Sequence, residues 1–122
     1  MMESVLILSD KGPFGTNSAA EAIRMGAGIM GLGPGIACKI LFHGDAVLFA
    51  SKDLNAAAIG VDSPAEAIEL AELTEMPLLV VKEDMEERGM KVEDLMTYPN
   101  LIVISKADIP KIIQEHATAF RL

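Results

Sequence analysis

The sequence is short of aromatics, cysteine and positive charge, and each shortage excludes a class of function. Trp is absent and Phe and Tyr bring the aromatic share only to 4%, too little for a platform on which unpaired bases could stack. Ten Lys and Arg against eighteen Asp and Glu leave a formal charge of −8, which repels phosphate backbones and anionic lipid. Nucleic acid and membrane surfaces are therefore not expected as partners. One cysteine, Cys38, rules out an intrachain disulfide and any multi-thiolate metal site built by one chain. Long apolar runs are missing too. The uncharged stretch 25–38 is broken by glycines and Pro34, so it is too short and too interrupted to span a bilayer. With no basic segment ahead of an apolar one at the N-terminus, a cytoplasmic location is expected.

What is present is a foldable chain. Apolar residues make up 51% of 122 residues and charged ones 23%, which suits one compact domain over 1–122 and is incompatible with disorder. So much apolar surface in a small acidic chain also suggests burial between subunits. The apolar segment 46–59, poorly patterned for burial within one subunit, and the adjoining end of the second strand are the expected interface.

Three short apolar runs, Val5–Leu8, Leu78–Val81 and Leu101–Ile104, read as core strands, and Ile36–His43 as another with Ile36, Cys38, Ile40 and Phe42 on one face and Ala37, Lys39 and Leu41 on the other. Helical patterns separate them. Ser18 and Glu21 have the spacing of a capping box ahead of a helix that Gly31 stops. Ser63, Pro64 and Glu66 mark the start of a helix reaching about Thr74. A short helix over 83–88 should stop at Gly89, and Asp108 should cap another through Glu115. The segment 46–61 reads as a short helix and a loop, and 118–121 as an added edge strand. Strands alternating with helices predict an α/β fold, a three-layer sandwich around a mostly parallel, doubly wound sheet of about five strands. Ligands of such folds gather beyond the carboxyl ends of the strands.

The residues at those ends carry several readings. The loop 10–17 is glycine-rich and leads into a helix, but lacks the spacing of a dinucleotide or P-loop phosphate site. Asp10, Asp62 and Lys106 sketch a phosphoacceptor receiver, although Asp10 has no second acid beside it. His43 and Asp45 flank Gly44, as an aspartate holding a turn beside a histidine would. Cys38 shares a strand face with Ile36, Ile40 and Phe42 and reads as a buried, inert thiol. The charged run 82–88 reads as a solvated helix face.

Three segments taken in order carry a resemblance to a known family: Gly12-Pro13-Phe14-Gly15-Thr16, Leu41-Phe42-His43-Gly44-Asp45-Ala46-Val47, and Met85-Glu86-Glu87-Arg88-Gly89-Met90. Together they resemble the DsrE/DsrF family of sulfur-relay proteins, which includes the TusB, TusC and TusD subunits. The pairing of the Gly-Asp-x-Val strand end with the later Arg-Gly is the most specific part. The resemblance implies a small α/β domain that assembles into trimers or hexamers with itself or with related subunits. It also implies a sulfur-carrying cysteine at the end of the third strand, eight residues before Gly89. That position is Val81, so no catalytic residue is expected, and Glu83 and Asp84 would in any case disfavour a persulfide anion there. The chain then reads as a cysteine-less subunit or regulator, without cofactor or metal. Gly12, Phe14, Gly15, Thr16, Asn17, His43, Asp45, Lys82 and Arg88 are its pocket candidates. The alternatives are a homo-oligomeric protein binding a small anion at the same strand ends, and a sulfurtransferase working through Cys38.

Overall fold

The computed structural model describes residues 3–12, 16–52 and 64–122. Five strands, β1 (Glu3–Ser9), β2 (Ile36–Phe42), β3 (Leu78–Val81), β4 (Leu101–Ile104) and β5 (Thr118–Arg121), form one sheet in the order β4-β3-β2-β1-β5. Every pairing is parallel. Around the sheet lie α1 (Ser18–Met30), a 3-10 segment (Gly44–Ala50), α2 (Pro64–Thr74), α3 (Lys82–Glu87) and α4 (Ile109–Gln114). The architecture is α/β, as the alternation of elements predicts.

Chain direction decides which face each helix covers. From β1 to β4 the strands are added toward one edge, and right-handed crossovers keep their connections on one face of the sheet. There α1, α2 and the 3-10 segment bury Ile7, Cys38, Ile40, Phe42, Leu78 and Val80. The step from β4 back to β5 runs the other way, so α4 lies on the opposite face, over Leu6, Leu41, Leu79 and Val81. Among the described residues only that short helix shields this second face, and Ile102 of β4 remains 46% exposed on it. The coverage expected on both faces is thus uneven.

Local differences from the sequence reading have local causes. The capping box at Ser18 does not form: the helix starts from Asn17, the Ser18 N–H donates to Thr16 Oγ1 at 3.1 Å, and Glu21 pairs with Arg24 instead. Asp108 is not the side-chain cap of α4. Its carboxylate reaches back to the Ser105 N–H at 3.2 Å and closes a 3-10 turn, Lys106–Asp108, that leads into the helix. The proposed cap Ser63 lies outside the described residues. The apolar segment expected at an interface is core where it is described, because Ala46, Val47, Phe49 and Ala50 are buried against the sheet within one subunit. Its remainder, 53–59, lies outside the described residues. Nor is 82–88 simply a solvated face, since Asp84 and Met85 are buried.

Candidate functional site

The site begins where β2 ends. The His43 N–H donates to Ser9 O at 3.0 Å, which carries the β1–β2 pairing one residue further. Gly44 then turns with φ +55°, a conformation that costs glycine little, and places its N–H 2.8 Å from Asp84 Oδ2. The next residue, Asp45, is exposed and takes two hydrogen bonds on Oδ1 from Arg88, at 3.0 Å from Nε and 2.8 Å from Nη2. Arg88 Nη1 also donates to the Asp84 carbonyl at 2.9 Å. Gly89, at φ +71°, lets the chain leave α3 directly after the arginine. The Gly-Asp and Arg-Gly pieces of the sequence are therefore two halves of one clamp.

A second clamp joins β3 to β4. Glu83 accepts from Ser105 Oγ and from the Lys106 N–H, both at 2.8 Å, while Lys106 Nζ sits 2.8 Å from Asp84 Oδ1. The side chain of Asp84 is 5% exposed and that of Lys106 55%. Burial alone would push the Asp84 carboxyl up, but Lys106 and the Gly44 N–H outweigh it and hold the group below the usual aspartate value. The Lys106 N–H, and after it the Ser105 hydroxyl, lower Glu83 in the same way. Arg88 and Lys106 are raised, each first by its hydrogen bond to a carboxylate. The chain leaves β3 toward the α1 face, where Met85 packs, and leaves β4 toward the α4 face, where Ile109 and Ile112 pack. Diverging exits of this kind open a crevice between neighbouring strands in α/β sheets. Here Glu83, Asp84, Ser105 and Lys106 tie that crevice shut.

The pocket candidates are only partly brought together. Gly12 lies against Asp45: a Cβ on it would stand 3.1 Å from Asp45 Cβ and 3.2 Å from Asp45 O, so the first loop packs directly on the clamp. Gly12, His43, Asp45 and Arg88 share this end of the sheet. Lys82 is set apart, pairing with Glu86 at 3.9 Å and lining a separate cavity of about 190 Å³ with Met85, Met90, Lys91 and Val92. Thr16 and Asn17 belong to the start of α1. Phe14 and Gly15 lie outside the described residues. Val81 is fully buried among Leu6, Leu41, Leu79 and Ile104, on the α4 side of the sheet. Of the receiver-like trio, Asp10 pairs with Arg121 at 3.4 Å and Lys106 with Asp84, and Asp62 lies outside the described residues. Among the described residues Ser9 Oγ and Asp10 Oδ1, both buried, have no hydrogen-bond partner. Among the described residues no group of three His, Cys, Asp or Glu is placed to hold a metal, and no helix is long and apolar enough to cross a membrane.

The sequence profile of the DsrE/DsrF-like family matches residues 3–121, nearly the whole chain. The chain belongs to the DsrE/DsrF-like family. Solved structures agree on the fold. The ychN protein from E. coli superposes with a TM-score of 0.80 at 13% identity, over 99% of this chain and 100% of that one. A protein of unknown function from Methanobacterium thermoautotrophicum superposes with a TM-score of 0.71 at 11% identity, over 100% of both chains. No curated protein sequence matches. The sequence reading did not join Glu83, Asp84, Ser105 and Lys106 into one site: it placed Glu83 and Asp84 only as acids near Val81, Lys106 only in a receiver-like trio, and gave Ser105 no role. The signal that could have found Asp84 is its place four residues before Arg88, one helical turn away on the face that meets the Gly-Asp turn.

Proposed function

We propose that this chain is a non-carrier member of the DsrE/DsrF-like family, a subunit or regulator that lends surface and strand-end shape to a sulfur-relay assembly without holding sulfur itself. The observation that supports it most is the state of its one thiol. Sulfur moves between proteins when a thiolate attacks a persulfide, so the carrier must be both ionised and reachable. Cys38 is neither. It sits mid-strand in β2, buried at 1% exposure, and burial pushes its thiol up to about 11. Val81, the carrier position that the resemblance implies, has no thiol and is itself enclosed. The small-anion reading finds no support, because Arg88 and Lys106, the cations of the two clamps, are each engaged by a carboxylate.

The test is to incubate the folded protein with a persulfidated donor and look for added sulfur by mass spectrometry. Cys38 should remain unmodified, and should react with a neutral thiol reagent only after unfolding. A persulfide on Cys38 in the folded chain would overturn the non-carrier reading. A Val81→Cys variant adds a second arm: its new thiol should stay unlabelled while the protein is folded, and rapid sulfur uptake there would show that the position is reachable.

A further inference from the structure

We propose that the outer edge of β4 is a docking surface for a second copy of this chain, paired antiparallel, strand against strand, about a twofold axis. The inference rests on the multi-subunit part of the proposed function and assigns it an interface. β4 ends the sheet, and its residues Leu101-Ile102-Val103-Ile104 include no charge, proline or glycine. Edge strands of monomeric proteins are usually protected by such residues. The opposite edge, β5, carries Arg121.

Among the described residues the hydrogen-bond phase of β4 leaves groups free for a partner. The Leu78 N–H donates to Asn100 O at 3.0 Å, and Leu78 is in register with Leu101. In a parallel ladder this turns the peptide groups of Ile102 and Ile104 toward β3 and those of Leu101 and Val103 outward. The Leu101 N–H is used locally by Tyr98 O at 3.1 Å. The Leu101 carbonyl and the Val103 N–H and carbonyl therefore face away from the sheet. Pairing centred on Ile102 would let each Val103 N–H donate to the Leu101 carbonyl of the other copy. It would also set the two Ile102 side chains, each 46% exposed, against one another.

The surroundings of the edge choose the occupant. Along β4 runs an apolar groove of about 350 Å³, lined by Val92, Leu95, Met96, Leu101 and Val103, with Val92 63% exposed. At the start of the strand, Glu72 and Glu75 line the hollow beside Tyr98–Asn100. Past the other end, the cavity that shares Val92 with the groove is lined by Lys82 and Lys91 against one acid, Glu86. An antiparallel twofold brings the glutamate end of each copy to the lysine end of the other. The charge pattern is thus self-complementary, which favours a second copy over an unrelated peptide.

The experiment compares the full-length wild type with Ile102→Lys by light scattering, and follows exchange of the Val103 amide against protein concentration. The wild type should have the mass of two copies or a multiple of two. Ile102→Lys, which puts two ammonium groups face to face, should weaken association by roughly tenfold or more. The Val103 amide should become protected as concentration rises, a readout that needs no mutation. Glu72→Lys/Glu75→Lys and Lys82→Glu/Lys91→Glu should each associate poorly alone and recover when mixed. A wild type that stays monomeric, or that forms only trimers, overturns the interface, and a monomer leaves the multi-subunit reading resting on different subunits alone. An oligomer indifferent to Ile102→Lys, with concentration-independent exchange at Val103, overturns the interface alone. Protection of Val103 that appears only when a different protein is added overturns the choice of a second copy.

Discussion

Asp84 shows how one residue can hold two loops, since its carboxylate takes the Gly44 N–H on one oxygen and the Lys106 ammonium on the other. Removing it leaves the half-buried Gly44 N–H unpaired and frees the lysine, so Asp84→Ala should cost about 2 kcal/mol at neutral pH. The sign with pH follows from the lowered carboxyl. The folded state takes up the proton less readily than the unfolded one, so the stabilisation is present above the unfolded value of about 3.9 and is lost as pH falls through the folded one. Urea unfolding should therefore show a wide gap between wild type and Asp84→Ala at pH 7 that begins to narrow only as pH falls below about 3.9. This residue was hidden in the sequence because a charged run reads as solvated, and only a contact 40 positions away changes that meaning. Asp45 and Arg88 were legible because each sits in a short glycine motif, whereas Ser105 carries no local mark and Lys106 read as the companion of Asp10 and Asp62 rather than of Asp84.

At the scale of elements, α1 meets β2 through Gly26. A Cβ added there would stand 3.1 Å from Cys38 Sγ, from Ile40 Cδ1 and from Met76 Cε. Alanine would gain about 1 kcal/mol of helix propensity, but close contact with two strand side chains should cost more, so Gly26→Ala should be destabilising by about 1 kcal/mol net. Met76 can swing its methyl aside, while Cys38 cannot move without the strand. Gly26→Ala combined with Cys38→Ala should accordingly recover part of the loss, and thermal unfolding of the two single variants and the double measures the coupling. The elements themselves were readable because apolar runs such as Leu78–Val81 and Leu101–Ile104 have no other way to be buried. The segment 44–50 was not. Its Val47 and Phe49 fit either period, and in the fold it is a 3-10 segment whose Phe49 ring packs 5.7 Å from that of Phe42.

For the whole molecule, linkage between folding and association gives a further test. If β4 pairs between copies, the wild-type Tm should rise with protein concentration while that of Ile102→Lys stays constant, as calorimetry over a dilution series would show. Strand alternation announced the sheet, but not its order. The place of β5 depends on pairings such as Val5 with Thr118, which no local pattern encodes. That placement has a consequence for how the fold is reached. The Ala117 N–H closes on Ser4 Oγ across 113 residues, and the Leu122 N–H on Leu8 O beside it. During vectorial synthesis β1 emerges early, gains β2 on one flank, and keeps its other flank open until β5 has left the ribosome. Contacts so far apart in sequence are late and slow to form. If the first four strands pair before β5 arrives, β1 and β4 are the two edges of that sheet, and β5 then covers β1 and becomes the edge in its place.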